Sequence, residues 1–390
     1  MSETVRIASA GSGLLPLLDR HVLVCCGTGG VGKTTISAAL ALLAAKRGKR
    51  VLVLTIDPAR RLADALGVAD LPDEPTPIPV SELAGIPPIS GELTALMLDV
   101  KSTWDRAIRR FAPDEAAAER ILSNRFYRKI TEGISGSQEY SAMLRLLDVA
   151  EDDAYDLVVV DTPPSRHALE FLNAPTRVSE VLEEGVLRWL IAPSFTTAWA
   201  GMRIFGKGGA ALFQIFERFT GSDVLTGLSE FVTEFSPVFG ELRRRAQRVQ
   251  SLLRKSSTAF VLVTQPTGSA LREADSFVGQ LRRDGLPFGG FVINRVHWSG
   301  PQAPGAAPPR GAEGFPSNPP AGIDAAAYER MVAHTWELHR TYSRWAEHDR
   351  EVIAALEERF DERVPFQQVP DVLLELHDLK SLGMLHPYLV

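Results

Sequence analysis

The sequence predicts a doubly wound α/β fold, in which helices cover both faces of a mostly parallel sheet. Three observations support this prediction. An apolar run at 21–26 is followed by a glycine-rich turn and an Ala- and Leu-rich segment at 36–48, which indicates a strand, a loop and a helix. Two later apolar runs, 51–57 and 155–161, each end in an aspartate. An aromatic-rich stretch at 176–255 carries an apolar face at helical spacing and predicts an inserted α-helical region.

Length, charge and composition limit the classes of function. The 390 residues are 45% apolar and carry a formal net charge of −6, so we expect no general affinity for nucleic acid. The chain begins without the basic and apolar segments of a signal peptide, and it has no run of about 18 apolar residues that would span a membrane. We therefore expect a cytoplasmic protein without stable membrane insertion.

The two cysteines, Cys25 and Cys26, are adjacent and close the first apolar run. Neighbouring cysteines cannot form an ordinary structural disulfide or a four-cysteine metal site. We interpret both as small residues of a buried strand.

The glycine-rich turn, GTGGVGKT at 27–34, matches the pattern G-x-x-x-x-G-K-[ST] at every fixed position. Its glycines allow backbone N–H groups to converge on phosphate oxygens, and the N-terminus of the following helix adds a partial positive charge. We expect Lys33 to reach the β- and γ-phosphates of a nucleoside triphosphate and the hydroxyl of Thr34 to bind Mg²⁺. The residues predicted to bind the nucleotide here are Gly27, Thr28, Gly29, Gly30, Val31, Gly32, Lys33, Thr34 and Thr35.

Aspartates end the second and third predicted strands. In an open parallel sheet the ligand lies outside the carboxyl ends of the strands, so Asp57 and Asp161 should face the same crevice as the glycine loop. A carboxylate at position 57 can orient or deprotonate the attacking water or hold a Mg²⁺-bound water, although Asp-Pro is also a common turn. Asp161 fits an aspartate that reaches Mg²⁺ through water. Lys33 and Asp57 are the predicted catalytic residues, and Thr34 and Asp161 are the predicted metal ligands.

Three stretches, GTGGVGKTT, TIDPARRLADALG and DTPPSRHALEFL, resemble the deviant P-loop, switch I and switch II of the family that includes arsenite-pump ATPases and tail-anchored-protein targeting ATPases. The resemblance spans the chain except 298–322 and is loose across 176–250. It implies a P-loop NTPase fold and a Mg²⁺-dependent ATPase that works as a dimer, with the nucleotide near the subunit interface. It also implies that His167 and Asp161 belong to the switch that senses the γ-phosphate.

Two further stretches resemble the adenine-binding part of that family. GFVINRV is similar to a strand that ends in an adenine-reading asparagine, which maps to Asn294. VPFQQVPDVLLELHDL, at 364–379, resembles the C-terminal proline-containing loop that packs on the base. The resemblance therefore implies that Pro365 and Phe366 contact the nucleotide.

The sequence departs from the family at the start of the glycine loop. Family members usually read GKGGVGKT, and the first lysine reaches across the dimer to the partner's phosphates, as an arginine finger does. This chain has Thr28 there, which supplies no positive charge. The chain is either a weak ATPase as a homodimer or one half of a heterodimer with a lysine-bearing paralogue, and we favour the heterodimer. It also lacks the zinc-binding C-x-x-C and the metalloid-binding cysteines of the family, so we expect no activation by a metalloid.

The domain organisation follows from these motifs. We predict a nucleotide-binding domain at 18–175, an inserted helical subdomain at 176–255 and the second part of the nucleotide-binding domain at 256–390, with a Pro- and Gly-rich loop at 298–322. In the resembling family the insertion is a mobile helical subdomain, which in the targeting members forms a groove for a hydrophobic helix. The aromatic residues can also fill a core between the helices, and we favour this second interpretation.

The predicted function is Mg²⁺-dependent ATP binding and hydrolysis coupled to a rearrangement of a dimer. One alternative is an ATP-regulated holdase or targeting factor, in which hydrolysis resets a groove for a hydrophobic protein segment. A second alternative is a positional switch of the plasmid-partition type, which also uses a deviant P-loop. The threonine at position 28 and the lack of a C-terminal basic amphipathic tail count against this second alternative.

Overall fold

One sheet organises the chain. The computed structural model describes residues 13–57, 59–80, 90–124, 127, 137–163, 222–297, 319–360, 364–372 and 377–390. The strands in these ranges are β1 Val22–Cys26, β2 Arg50–Thr55, β3 Thr76–Pro77, β4 Glu92–Met97, β5 Leu157–Asp161, β6 Thr258–Thr264, β7 Phe288–Val296 and β8 Phe366–Pro370. They lie in the order β3-β4-β2-β5-β1-β6-β7-β8, and all neighbours are parallel except β3 and β4. The predicted mostly parallel sheet is confirmed.

Helices cover both faces of this sheet. Within the described ranges the helices are α1 Lys33–Lys46, α2 Arg61–Leu66, α3 Val100–Phe111, α4 Glu115–Ser123, α5 Ser137–Ala150, α6 Ser222–Arg254, α7 Ala270–Asp284, α8 Ala325–Arg359 and α9 Leu379–Gly383. Side chains of the central strand β1 alternate between the faces, as strand geometry requires. Val22, Val24 and Cys26 join a core with α3 to α8, whereas Leu23 and Cys25 join a core with α1, α2 and α9. The fold is therefore doubly wound.

Helix α6 buries the aromatic face that the sequence predicts. Phe231, Phe235, Val238 and Leu242 are buried in the same core as strands β1 and β5. These residues of α6 therefore fill the core of the α/β domain. The role of the other aromatic residues of 176–255 stays a prediction. Residues 176–221 lie outside the described ranges, so the predicted domain division stays a prediction. None of the described helices is long and apolar enough to cross a bilayer.

The C-terminal segment, residues 377–390, packs against helix α1. Leu379, Leu382, Leu385 and Leu389 are buried in the core that α1 shares with α9. His386 also lies there, with its Nε2 3.1 Å from the backbone oxygen of Ala39 and its Nδ1 3.3 Å from Lys46 Nζ. Because α1 begins at the glycine loop, this packing fixes the helix on which the loop depends.

Candidate phosphate-binding site

The glycine loop connects the end of β1 to the start of α1, at the carboxyl edge of the sheet. Gly32 immediately precedes the helix in a left-handed conformation, with a φ of +91°. A Cβ at Gly32 would lie 2.2 Å from Nδ2 of Asn294, so any other residue would clash there. A Cβ at Gly27 would lie 2.1 Å from the backbone oxygen of Val263 in β6. These two glycines are therefore required by close packing as well as by the motif.

Lys33, the motif lysine, is the first residue of α1 and is only 6% exposed. Its ammonium donates a hydrogen bond of 2.8 Å to the backbone oxygen of Thr28, so the side chain folds back over the loop. Burial lowers the pKa of this ammonium. An anion placed in the loop would counter that effect, because it would favour the charged form of the lysine. The geometry suits a phosphate group.

Thr34 and Asp161 meet as the sequence predicts. The hydroxyl of Thr34 donates to Oδ2 of Asp161 at 2.8 Å, and the hydroxyl of Thr55 donates to the same oxygen at 3.0 Å. The other carboxylate oxygen, Oδ1, is buried without a hydrogen-bond partner. Burial raises the pKa of Asp161 to about 6, although the two threonine hydroxyls act in the opposite direction. A buried carboxylate oxygen without a partner needs a donor or a cation.

These residues fit a magnesium ion. When the Thr34 hydroxyl donates to Asp161, its oxygen lone pairs stay available to a cation, and Oδ1 of Asp161 can accept from a water in the cation's shell. Hydroxyl, carboxylate and water oxygens are the ligands that Mg²⁺ prefers. No cluster of three or more His, Cys, Asp or Glu occurs in the described ranges. Phosphate and water oxygens are also ligands of Mg²⁺.

Asp57 lies two residues after the end of β2, at the same edge of the sheet. Its Oδ1 accepts from the backbone nitrogen of Ala59 at 3.0 Å, and its Oδ2 accepts from Arg61 at 2.8 Å. The Asp57 side chain is 12% exposed, whereas that of Arg61 is 61% exposed. Each carboxylate oxygen keeps a second lone pair, so Asp57 can still accept from a water.

The remaining predicted site residues divide into two groups. Asn294, near the carboxyl end of β7, donates from Nδ2 to the backbone oxygen of Val31 at 2.8 Å and so braces the glycine loop. Gly29, Gly30 and Thr28 lie in the loop, Val31 is buried and Thr35 lies in the first turn of α1. Residue 167 lies outside the described ranges.

Pro365 and Phe366 form the second group, at the start of β8. The ring of Phe366 stacks on Phe291 of β7, with a centroid distance of 4.5 Å, and the backbone nitrogen of Phe291 donates to the oxygen of Pro365. Phe366 therefore lies in the sheet and Pro365 lies directly before it, and their contact with the nucleotide stays a prediction. Asp371, at the carboxyl end of β8, lies at the edge of the sheet that carries the glycine loop. Its backbone nitrogen donates to the backbone oxygen of Val296.

Sequence reasoning missed three side chains that hold the site. Gln265, after β6, donates to the backbone oxygen of Gly30 at 3.3 Å, and Glu273, in α7, accepts from the Thr28 hydroxyl at 3.4 Å. Gln138 donates to the backbone oxygen of Ile56, just before Asp57. The rule that ligands lie at the carboxyl edge of a parallel sheet could have indicated Gln265, because it directly follows the apolar run AFVLVT at 259–264.

A glycine loop with a buried lysine, followed by a helix whose second residue meets an aspartate from a neighbouring strand, defines a P-loop nucleoside triphosphatase. The chain belongs to the anion-transporting ATPase family, whose sequence model matches residues 20–302. This confirms the family that the motifs resemble, and membership makes the chain an ATP hydrolase.

Individual relatives agree with this assignment. The chain is 25% identical over 278 residues to ATPase ASNA1 homolog 1 of Paramecium tetraurelia, covering 69% of this chain and 73% of the relative. It is 25% identical over 297 residues to ATPase GET3 of Malassezia globosa, covering 73% and 76%. It is 28% identical over 254 residues to an ATPase ASNA1 homolog of Entamoeba histolytica, covering 60% and 73%.

Proposed function

We propose that this ATPase depends on Mg²⁺ and couples ATP binding and hydrolysis to a rearrangement of a dimer. The observation that carries the Mg²⁺ dependence is the Thr34–Asp161 pair, in which a buried carboxylate oxygen has no partner beside the first turn of α1. Bound Mg²⁺ would neutralise the charge on the phosphate oxygens. The dimer rests on the family resemblance.

The residues of the chain have separate roles in this proposal. Loop amides and Lys33 hold the triphosphate, and Lys33 neutralises charge on the transferred phosphoryl group. Asp57 orients the attacking water, whose oxygen forms a bond to the γ-phosphorus. The bond between that phosphorus and the β–γ bridging oxygen breaks, and ADP and phosphate are the products. Asn294 keeps the loop in register through Val31.

The residue type at position 28 also affects what one subunit of a dimer supplies to the other. A hydroxyl at this position gives no positive charge to a second subunit, so a homodimer would hydrolyse ATP slowly. In a heterodimer, a lysine from the paralogue would complete the site of this chain. Sedimentation with ATP and Mg²⁺, with and without the paralogue, distinguishes the homodimer from the heterodimer.

The alternative functions stay predictions. The described aromatic face of α6 is buried in the core, so this face does not form a groove for a hydrophobic protein segment. A positional switch would require binding to DNA or to a membrane. Sedimentation with DNA or liposomes tests that requirement.

Replacement of Lys33 tests the proposed function. Lys33→Ala should abolish binding of a fluorescent ATP analogue and phosphate release, because the only motif cation is removed while the fold is kept. Lys101→Ala is the matched control, since Lys101 is an exposed lysine paired with Asp105 on α3. EDTA should stop turnover of the unmodified protein. Normal phosphate release by folded Lys33→Ala would refute the phosphate-binding assignment, and full turnover in EDTA would refute the Mg²⁺ dependence.

A further inference from the structure

The segment from the end of β6 to the first turns of α7 lies against the glycine loop. Gln265 donates to the backbone oxygen of Gly30 at 3.3 Å. The Thr28 hydroxyl donates to Oε2 of Glu273 at 3.4 Å, and the hydroxyl of Ser269 donates to Oε1 of the same carboxylate at 2.8 Å. Two side chains of this segment therefore contact the front half of the loop.

Thr28 is held at two points. Its side chain donates to Glu273, and its backbone oxygen accepts from the buried ammonium of Lys33. A displacement of Thr28 would therefore also displace the acceptor of the lysine that the proposed function assigns to the phosphates. Glu273 is therefore linked to Lys33 by two hydrogen bonds, both of them to Thr28.

Two neutral hydroxyl groups donate hydrogen bonds to Glu273. Both of its oxygens accept from hydroxyl groups, Thr28 on one side and Ser269 on the other, so they act as acceptors toward position 28. Glu273 is also half-buried, which strengthens its interaction with a charge placed nearby. A lysine at position 28 would meet this carboxylate within its own chain before it met a second subunit.

We propose that Glu273 is a positioning residue for the glycine loop, and that its carboxylate retains within the chain any cation introduced at position 28. The proposal rests on the assigned phosphate-binding role of the loop. It implies that two residues keep positive charge from reaching a partner subunit: Thr28, which carries no charge, and Glu273, which would bind a cation placed at position 28. A single Thr28→Lys substitution would then create an ion pair in the chain instead of a charge that a partner can use.

Nucleotide binding tests the positioning role. Glu273→Ala and Glu273→Gln are both neutral, but only the glutamine keeps an oxygen that accepts from Thr28. We expect Glu273→Ala to bind the fluorescent ATP analogue roughly 2- to 10-fold more weakly than Glu273→Gln, the range of one hydrogen bond. In a Thr28→Val background this difference should vanish. Equal affinity of the two variants, or a difference that persists with Thr28→Val, would overturn the positioning role.

A matched control and a nucleotide-free measurement separate this inference from the proposed function. Asp275→Ala removes the same charge from the same helix, but Asp275 pairs with Arg359 and not with the glycine loop. The affinity of this variant for the ATP analogue should therefore equal that of the unmodified protein. Urea unfolding without nucleotide gives the free energy of unfolding of each single variant, Thr28→Val and Glu273→Ala, and of the double variant. The double variant should lose less of this free energy than the sum of the two single losses. Additive losses would overturn the Thr28–Glu273 contact whether or not the protein binds ATP. Absence of ATP binding with non-additive losses would overturn only the proposed function.

Turnover tests retention of the cation. We measure how many fold Thr28→Lys raises the rate of ATP hydrolysis, once with Glu273 present and once in the Glu273→Gln background. The increase should be roughly tenfold or more larger in the Glu273→Gln background, because a charged hydrogen bond no longer holds the ammonium. An equal effect in the two backgrounds would overturn retention by Glu273.

Discussion

His386 should make the stability of this protein depend on pH between about 4 and 6.5. Burial, and secondarily Lys46, lower the pKa of His386 to about 4 in the folded chain. In the unfolded chain the pKa is about 6.5. Nε2–H donates to the Ala39 oxygen and Nδ1 accepts from Lys46, so protonation of Nδ1 would bring two cations together. The neutral ring therefore stabilises the fold, and acid removes this contribution.

The magnitude follows from the two pKa values. Above pH 6.5 neither state binds the proton, and the full contribution is present. Between pH 6.5 and 4 the unfolded chain binds a proton that the folded chain does not, so the free energy of unfolding falls as the pH falls. A pKa difference of 2.5 at roughly 1.4 kcal/mol per pKa unit corresponds to a loss of about 3 kcal/mol at pH 4. Below the folded pKa the loss is complete.

Urea unfolding at pH 7.5, 6.0, 5.0 and 4.5 measures this effect. His386→Gln keeps a donor for Ala39 and an acceptor for Lys46 but does not titrate, so it should lose less stability on acidification than the unmodified protein. His348→Gln, at an exposed position of α8, serves as the control and should follow the unmodified protein. Parallel pH profiles for the unmodified protein and His386→Gln would refute the reasoning, because the difference between them isolates this one ring.

Three further substitutions test the site and the core. Asp57→Asn should keep ATP binding and lose most of kcat, because the amide keeps the shape but orients water poorly and cannot take a proton; a raised KM with normal kcat would instead make Asp57 a binding residue. Gly32→Ala should abolish nucleotide binding, since its Cβ would lie 2.2 Å from Asn294 Nδ2 in a backbone conformation with a φ of +91°. Normal affinity in a titration with the ATP analogue would contradict this. Phe235→Ala should lower the free energy of unfolding by about 3–5 kcal/mol, as expected for a buried phenylalanine, and a loss near zero would mean that its face of α6 is not packed in the core.

Much of the sheet and the centre of the site could be predicted because their signals are local. A strand, a glycine turn and a helix in one short stretch fix Lys33 and Thr34 at the helix start. Asp161 could be added because the carboxyl ends of parallel strands share one edge. Its 2.8 Å contact with Thr34 is therefore a consequence of topology that the sequence already contains.

The contacts of the glycine loop with α7 and the position of β8 could not be predicted in the same way. Glu273 meets Thr28 only because β6 lies beside β1, and no spacing in the sequence encodes which strands are neighbours. Phe366 lies opposite Phe291 because of the register of β8, which depends on how side chains pack across the sheet. No motif in the sequence specifies this register, and contact of Pro365 and Phe366 with the nucleotide stays a prediction.

The paired cysteines at the end of β1 give the protein an internal chemical probe. Cys25 and Cys26 are the two cysteines of the sequence; both are free and fully buried, and burial raises the pKa of Cys25 to about 12. A thiol reagent can therefore reach them only when β1 separates from β5 and β6, the strands that flank it. Because these residues directly precede the glycine loop, the rate of alkylation reports how often the centre of the sheet opens next to that loop, without any added label. Slower alkylation in the presence of ATP would measure, in seconds or hours, how firmly the nucleotide holds that centre closed.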